Sequence, residues 1–185
     1  MDTRVWMLGF GNGVDITQDS MMAVIGSPNE NAVYTYNISN KGTFIPQKKI
    51  TNKKMETFGW KVALSESGNT LAVTAPKAMN DEDSKVGAVT FYRNSESSWK
   101  QLDEIAYGLE ETRKLGLGGV AVNEQTGRID VVDEKGDFTS FQVSLYLNRN
   151  STKYCLFLSQ TTLMNSTRKT AKIMRCQLEQ MEICL

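Results

Sequence analysis

Histidine is absent from this 185-residue chain, and no other shortage removes as much chemistry. Imidazole is the usual general base near neutral pH and a common metal ligand. Its absence excludes Ser-His-Asp triads, Cys-His pairs, HExxH zinc sites and facial-triad iron. A charge excess of either sign is lacking too. The 21 basic side chains balance 21 acidic ones, so no net field draws the chain to DNA, RNA or an anionic membrane, and no nucleic-acid partner is expected. Long hydrophobic runs are missing: no stretch reaches the roughly 18 apolar residues of a membrane-spanning helix. The run from Val5 to Phe10, broken by Gly9, is shorter than the core of a secretory signal. Neither a transmembrane segment nor a signal peptide is expected. Cysteine is confined to Cys155, Cys176 and Cys184, an odd C-terminal set without metal-ligand spacing that reads as free thiols. The remaining composition, 40% apolar and 23% charged, is that of a globular chain able to bury a core.

What the chain does contain is a repeat. Phe10-Gly11-Asn12-Gly13-Val14-Asp15-Ile16-Thr17 lies over Phe58-Gly59-Trp60-Lys61-Val62-Ala63-Leu64-Ser65 at an offset of 48 residues without a gap. At the same offset Met22 to Pro28 lies over Thr70 to Pro76. Ala32-Val33-Tyr34-Thr35-Tyr36 then matches Ala88-Val89-Thr90-Phe91-Tyr92, and Phe44 to Ile50 matches Trp99 to Ile105. Apolar residues alternate within each segment, as in Val62 and Leu64 or Leu71 and Val73, which is the period of half-buried strands. Glu66-Ser67-Gly68-Asn69 supplies a tight turn. Pro28 and Pro76 end the second strand, where a missing amide donor costs least. The unit is expected to be a four-stranded antiparallel meander. A weaker third copy runs through Gly118 to Val122, Gly127 to Val132 and Gly136 to Phe141, with Leu115-Gly116 in place of Phe-Gly, one residue out of register.

Phe58-Gly59-x-x-Val62-Ala63-Leu64-Ser65, Gly68, Leu71-Ala72-Val73-x-Ala75-Pro76, Gly87-Ala88-Val89-x-Phe91-Tyr92 and Trp99-Lys100-Gln101 together resemble the FG-GAP repeat. That family builds β-propeller blades like those of the integrin α-chain head. The resemblance covers about residues 8–106 well and 115–142 poorly. It implies an all-β fold, a partial β-propeller of two to three four-stranded antiparallel blades, and an extracellular or cell-surface setting. Calcium-binding members carry an acidic DxDxDG-type loop between the first two strands. Here that position holds Thr17-Gln18-Asp19-Ser20 and Ser65-Glu66-Ser67-Gly68, too few carboxylates, so no calcium or other metal is expected and no cofactor is implied. Two or three blades cannot close a ring of four to eight. The chain is therefore expected to be part of a longer propeller, or to complete its ring with blades of another chain.

Residues 1–142 read as the propeller-like domain and 143–185 as an extension of different texture. Phe141, Val143, Leu145 and Leu147 alternate as one more strand, and Tyr154 to Leu158 form an apolar run. Ala171, Met174, Leu178, Met181 and Leu185 recur at helical spacing, which gives either a short C-terminal helix capped by Ser166 or Thr167 or an irregular tail. Gly9-Phe10-Gly11-Asn12-Gly13 lacks the GK[ST] ending of a phosphate loop and precedes a strand, so it belongs to the start of a blade. Trp60, Trp99, Tyr34, Tyr36 and Tyr92 could form a sugar platform, but their repeat positions favour packing. Asn37-Ile38-Ser39, Asn150-Ser151-Thr152 and Asn165-Ser166-Thr167 are glycosylation triplets of a kind that composition alone produces.

The functional expectation is a non-enzymatic module that recognises a protein or glycan through blade-end loops. The candidate contacts are Asn29, Glu30 and Asn31 in one copy and Asn80, Asp81, Glu82 and Asp83 in the other. The alternatives are a carbohydrate-active propeller enzyme with an Asp/Glu acid and base, for which the sequence alone pairs no carboxylates, and calcium-dependent adhesion.

Overall fold

The computed structural model describes residues 9–19, 21–95, 98–142, 145–148, 151–156, 160–163 and 168–169. The first sheet is the meander β1 (Val14–Ile16), β2 (Met22–Ser27), β3 (Ala32–Ile38) and β4 (Phe44–Thr51). The second repeats it in β5 (Val62–Leu64), β6 (Thr70–Ala75), β7 (Ala88–Ser95) and β8 (Ser98–Tyr107). Registers match across the copies: Val14 pairs with Ile25 as Val62 pairs with Val73, and Ser27 pairs with Ala32 as Ala75 pairs with Ala88. Pro28 and Pro76 directly follow their strands, and Gly68 takes a positive φ of 72° in the β5–β6 turn. Each feature follows from the sequence pattern that foretold it.

The fourth strands match less simply. Phe44 sits opposite Ile38 and Trp99 opposite Asn94, in agreement with the repeat. Both copies then break register at a bulge, where β4 runs one residue longer than its partner strand and β8 two. Beyond it Ile50 faces Val33 while Ala106, not Ile105, faces Val89. The expected match of Ile50 with Ile105 is therefore corrected by one residue. A bulge takes up an extra residue in one strand while the pairing resumes beyond it, so a match made without a gap slips by one residue past that point.

The third copy forms β9 (Gly119–Asn123), β10 (Arg128–Val132) and β11 (Phe138–Gln142). Its next strand comes from farther along the chain. β12 (Leu145–Asn148) and β13 (Ser151–Leu156) leave as a separate two-stranded hairpin, and β14 (Gln160–Leu163) then pairs with β11, with β15 (Arg168–Lys169) outside it. The expected continuous strand from Phe141 to Leu147 is thus two strands in two sheets. The stripe from Ala171 to Leu185, its caps Ser166 and Thr167, and Cys176 and Cys184 lie outside the described residues. Among those described, no helix is long and apolar enough to cross a membrane.

The sheets stack face to face. Val24, Val33 and Ile50 of the first bury Phe58, Val62, Leu64, Leu71, Val73 and Trp99 of the second. The opposite side of the second sheet, with Ala72, Val89, Phe91 and Ala106, covers Leu115, Ile129, Val131 and Phe141 of the third. A fully buried side chain of this size contributes about 1.5–3 kcal/mol, so these two seams hold the stack together. The first strands adjoin, and side chains stitch each to its neighbour's backbone. Asn12 donates to Trp60 O at 2.7 Å, Leu64 N donates to the Asp15 carboxylate at 2.7 Å, and the Trp60 indole donates to Leu117 O at 3.0 Å. This is a partial β-propeller.

The Phe-Gly pair has a defined place in it. Gly11, Gly59 and Gly116 all have φ between 83° and 92°. Each donates its amide to the same position of the second strand, at Gly26, Thr74 and Val132 respectively. Leu115-Gly116 is therefore the third Phe-Gly equivalent, and Leu117 is the extra residue that puts it out of register.

Candidate functional site

In an antiparallel meander, the turn between the second and third strands opens at the same end as the connection to the next sheet. That end gathers residues 29–31, 77–87 and 133–137 with connections 52–61 and 108–118. The opposite end carries the β1–β2, β5–β6 and β9–β10 turns. In its first turn polar groups are spent locally: the Thr17 hydroxyl donates to Asp19 at 2.6 Å, and Asp19 also accepts Met21 N at 2.9 Å. Glu124 accepts both the amide and the hydroxyl of Ser67 across the seam.

The first candidate loop is a single 3-10 turn, Pro28–Glu30, ended by Asn31 in the left-handed region at φ 48°. Asn29 is exposed. Glu30 is not a free contact, because its carboxylate accepts Lys49 Nζ at 2.6 Å, Tyr34 OH at 2.6 Å and Ser27 Oγ at 3.1 Å. The Lys49 ammonium foremost, then the Tyr34 hydroxyl, hold this carboxyl below its ordinary value. Lys49 also lies 4.9 Å from the centre of the Tyr34 ring, a distance at which the ring face attracts a cation.

The second loop is longer and presents more. Buried Ala78 and Val86 anchor its ends, joined where Gly87 N donates to Ala78 O. Asn80 shapes its tip: its side-chain oxygen accepts the amides of Glu82 at 3.1 Å and Ser84 at 2.9 Å, a turn in which the side chain replaces a backbone acceptor. Asp83 takes φ 58°. Asp81, Glu82 and Asp83 all point outward and are exposed. Asn80 thus positions, while three carboxylates face solvent. Partial burial, with the Asp81 charge second, pushes the Tyr107 hydroxyl up. Among the described residues no hydrogen bond or ion pair joins 29–31 to 80–83, so the structure sets the two loops at one end without bringing them into contact.

The structure does bring together one charged cluster that sequence reasoning missed. Arg113 donates from Nη1 to Asp133 at 3.0 Å and to Asp137, and from Nε to Glu110 at 3.1 Å. Asp133 Oδ1 accepts the amides of Lys135 and Asp137, and Glu134 N donates to Arg113 O. Both aspartates are largely buried. Their oxygens are occupied by the guanidinium and the turn, so the cluster clamps residues 108–118 to the β10–β11 hairpin. Bonds to Asp137 and Asp133, in that order, drive the guanidinium further from deprotonation. The Asp-x-x-x-Asp pair around Gly136 was visible in the sequence, but its partner lies 20 residues upstream of Asp133.

Among the described residues no group of three or more Cys, Asp or Glu is placed to hold a metal ion. A small cleft of about 30 Å³ between the first two sheets is lined by Met22, Thr35, Asn37, Gln47, Asn94 and Trp99. The buried Asn94 Oδ1 beside it has no hydrogen-bond partner. The space suits one water, not an organic ligand.

No family model matches the sequence, and the comparison with curated proteins gave no match. Solved structures do match in fold. A candidate 6-phosphogluconolactonase from Bacteroides fragilis superposes with TM-score 0.52 at 10% identity over 71% of this chain and 34% of its own. The β-propeller domain of Cps50 (Swd1) from Myceliophteria thermophila gives 0.50 at 10% identity over 66% and 36% respectively. The chain thus spans about a third of each of these proteins. At such identity the likeness shows the fold, propeller blades, and no activity.

Proposed function

We propose that this chain is a non-enzymatic interaction module of FG-GAP character, recognising a protein or glycan through the loops at one end of its blades. The observation that supports the reading most is the contrast between the two ends. At one, the β1–β2 and β5–β6 turns are short, and their hydroxyls are engaged by Asp19 within the turn and by Glu124 of the next sheet. At the other, a longer loop is fixed by Asn80 and leaves Asp81, Glu82 and Asp83 exposed. A rigid scaffold under an uneven, polar loop is the arrangement by which propellers and sandwiches present contacts. The Phe-Gly repeat supports the FG-GAP assignment. The non-enzymatic reading draws on the Asp133 and Asp137 carboxylates, which are engaged by Arg113.

The test is binding of the purified chain to a glycan array and to a displayed peptide library, beside a variant carrying Asp81→Ala, Glu82→Ala and Asp83→Ser. Ligands bound by the native chain and lost by the variant, at unchanged melting temperature, support the proposal. Ligands bound equally by both refute it. A calcium titration separates the adhesion alternative, since a cation selective for the folded state raises the melting temperature.

A further inference from the structure

The two ends of the blade stack are not alike. Apolar positions on the second sheet that face the first are buried: Phe58 is 0% exposed, Val62 and Leu64 7%, and Trp99 9%. Their equivalents on the first sheet, Phe10, Val14, Ile16 and Phe44, are 53%, 55%, 46% and 50% exposed. Half-buried Tyr34 and Tyr36 extend that surface, with rings edge-on to Phe10 at 5.4 Å and Phe44 at 6.0 Å, and the Lys49–Glu30 pair lies at its edge beside Tyr34. Gly11 carries the same signature. A methyl group on Gly59 would lie 2.3 Å from Ala32 O, and one on Gly116 would lie 2.5 Å from Thr74 Cβ, while Gly11 has nothing within 4 Å. The close approach that the other two glycines make to a preceding sheet is prepared at Gly11 and unused.

From this, and resting on the propeller reading above, we infer that the Phe10 face is the seat of one further four-stranded blade from outside these 185 residues. The occupant's character is given by the established seam that this face continues. In the seam between the first two sheets, the covering side is Val24, Gly26, Val33 and Ile50. Its glycine lies where the next blade's Phe-Gly turn approaches, a Cβ on Gly26 falling 2.0 Å from Gly59 O. The occupant therefore presents small and β-branched residues, with glycine or threonine opposite Gly11.

A second copy of this chain does not fit that description. Head-to-tail stacking would place the outward side of the third sheet on the Phe10 face. At the positions of Val24 and Ala72 that side carries Asp130, bonded to Arg128 Nε at 2.8 Å and to the Ser140 hydroxyl. Gln142 donates beside it to Thr126 O. Burying this charged set against phenylalanine and valine would strip its water without supplying a partner across the seam. Among the described residues, the outward side of β9–β11 thus carries a charged set, while the Phe10 face is aromatic and aliphatic apart from the Lys49–Glu30 pair beside Tyr34, the kind of difference by which repeat proteins distinguish a cap from a joint.

The test uses a chain in which residues 1–57 are followed by residues 10–185, so that a duplicate first blade precedes the original with its connection intact. Cys155, Cys176 and Cys184 are changed to Ser, and Val14→Cys is placed in the inner copy, with the 185-residue chain carrying the same changes as control. Maleimide labelling of the inner thiol is expected to slow about tenfold or more relative to the control. Gly26→Leu in the outer copy is expected to restore fast labelling. Equal rates in duplicated and control chains overturn the inference, as does a duplicated chain that fails to fold, since a face built for a blade accepts one. A thiol protected in the control and freed by deleting residues 2–8 would assign the face to the chain's own first residues. A dimer in sedimentation that Val14→Lys dissociates would assign it to a second copy. Either result overturns the inference while leaving the loop proposal standing, because ligand binding is read separately on the unextended chain.

Discussion

Phe10 and Phe58 occupy the same place in consecutive blades, so replacing each by alanine measures what a neighbouring blade contributes. Phe58 is fully buried among Val24, Val33 and Leu71 and meets Tyr92 edge-on at 6.1 Å. Its truncation removes the transfer energy of a benzyl group and leaves a cavity, about 3–5 kcal/mol in total. Phe10 touches Tyr34 but lies half in water, so Phe10→Ala loses roughly the aromatic pair alone, about 0.5–1.5 kcal/mol. In a domain of this size each kcal/mol moves the melting temperature by about 2–4 °C. Phe58→Ala is thus expected to lower it by about 6–20 °C, and Phe10→Ala by about 1–6 °C. Urea denaturation followed by tryptophan fluorescence supplies the free energies, with the slope checked for constancy. Equal losses for the two variants would mean that Phe10 is already covered in solution, and the account of two inequivalent faces would be wrong.

Other substitutions test other links. Gly59→Ala puts a methyl 2.3 Å from Ala32 O and should cost about 3 kcal/mol or more. Gly11→Ala, with open space but φ 87°, should cost about 1–2 kcal/mol; equilibrium unfolding distinguishes them. Arg113→Met leaves the largely buried Asp133 and Asp137 without their cation and should cost about 3 kcal/mol or more, with new proteolytic cutting within residues 108–118. Asp83→Gly relieves a left-handed residue at φ 58° and should stabilise by up to about 1 kcal/mol, whereas Asp81→Ala should change the melting temperature by less than a degree or two. Glu30 titrates below its ordinary value of 4.5 in the folded chain, so the fold favours its ionised form. That contribution is present above pH 4.5 and lost as pH falls through the lower folded value. Glu30→Gln should flatten the acid limb of stability against pH, and an unchanged limb would contradict the Lys49 and Tyr34 contacts.

The first two blades were legible because their strands are short, antiparallel and local, and because two in-phase copies fix register better than one. Phe10 over Phe58 and Pro28 over Pro76 sufficed. The third blade was legible only as far as its hairpins. Its next strand, Gln160–Leu163, follows an inserted hairpin and reads Gln-Thr-Thr-Leu, without the aromatic start that marks Phe44 and Trp99. Pairing across such an insertion depends on tertiary placement that no periodicity encodes. The loop candidates were legible as positions, but their division of labour was not. Glu30 is engaged because Lys49, on the fourth strand, reaches it across β3 of the folded sheet. Asn80 shapes the tip because its amide oxygen finds the backbone ahead of it. The Arg113 clamp joins a connection to a hairpin in the next sheet, a contact without a local signature.

The stitching of the first strands bears on the order in which this molecule comes apart. Asp15 holds the amide of Leu64, Trp60 reaches Leu117, and Thr74 reaches Gly116 at 3.0 Å, so neighbouring sheets are fastened along the axis. Along β4, by contrast, most side chains are exposed, and beyond its ladder that margin is held to the next sheet only through Ile50 among the described residues. Amide exchange should therefore advance inward from β4, with buried β5 and β6 releasing their protons last.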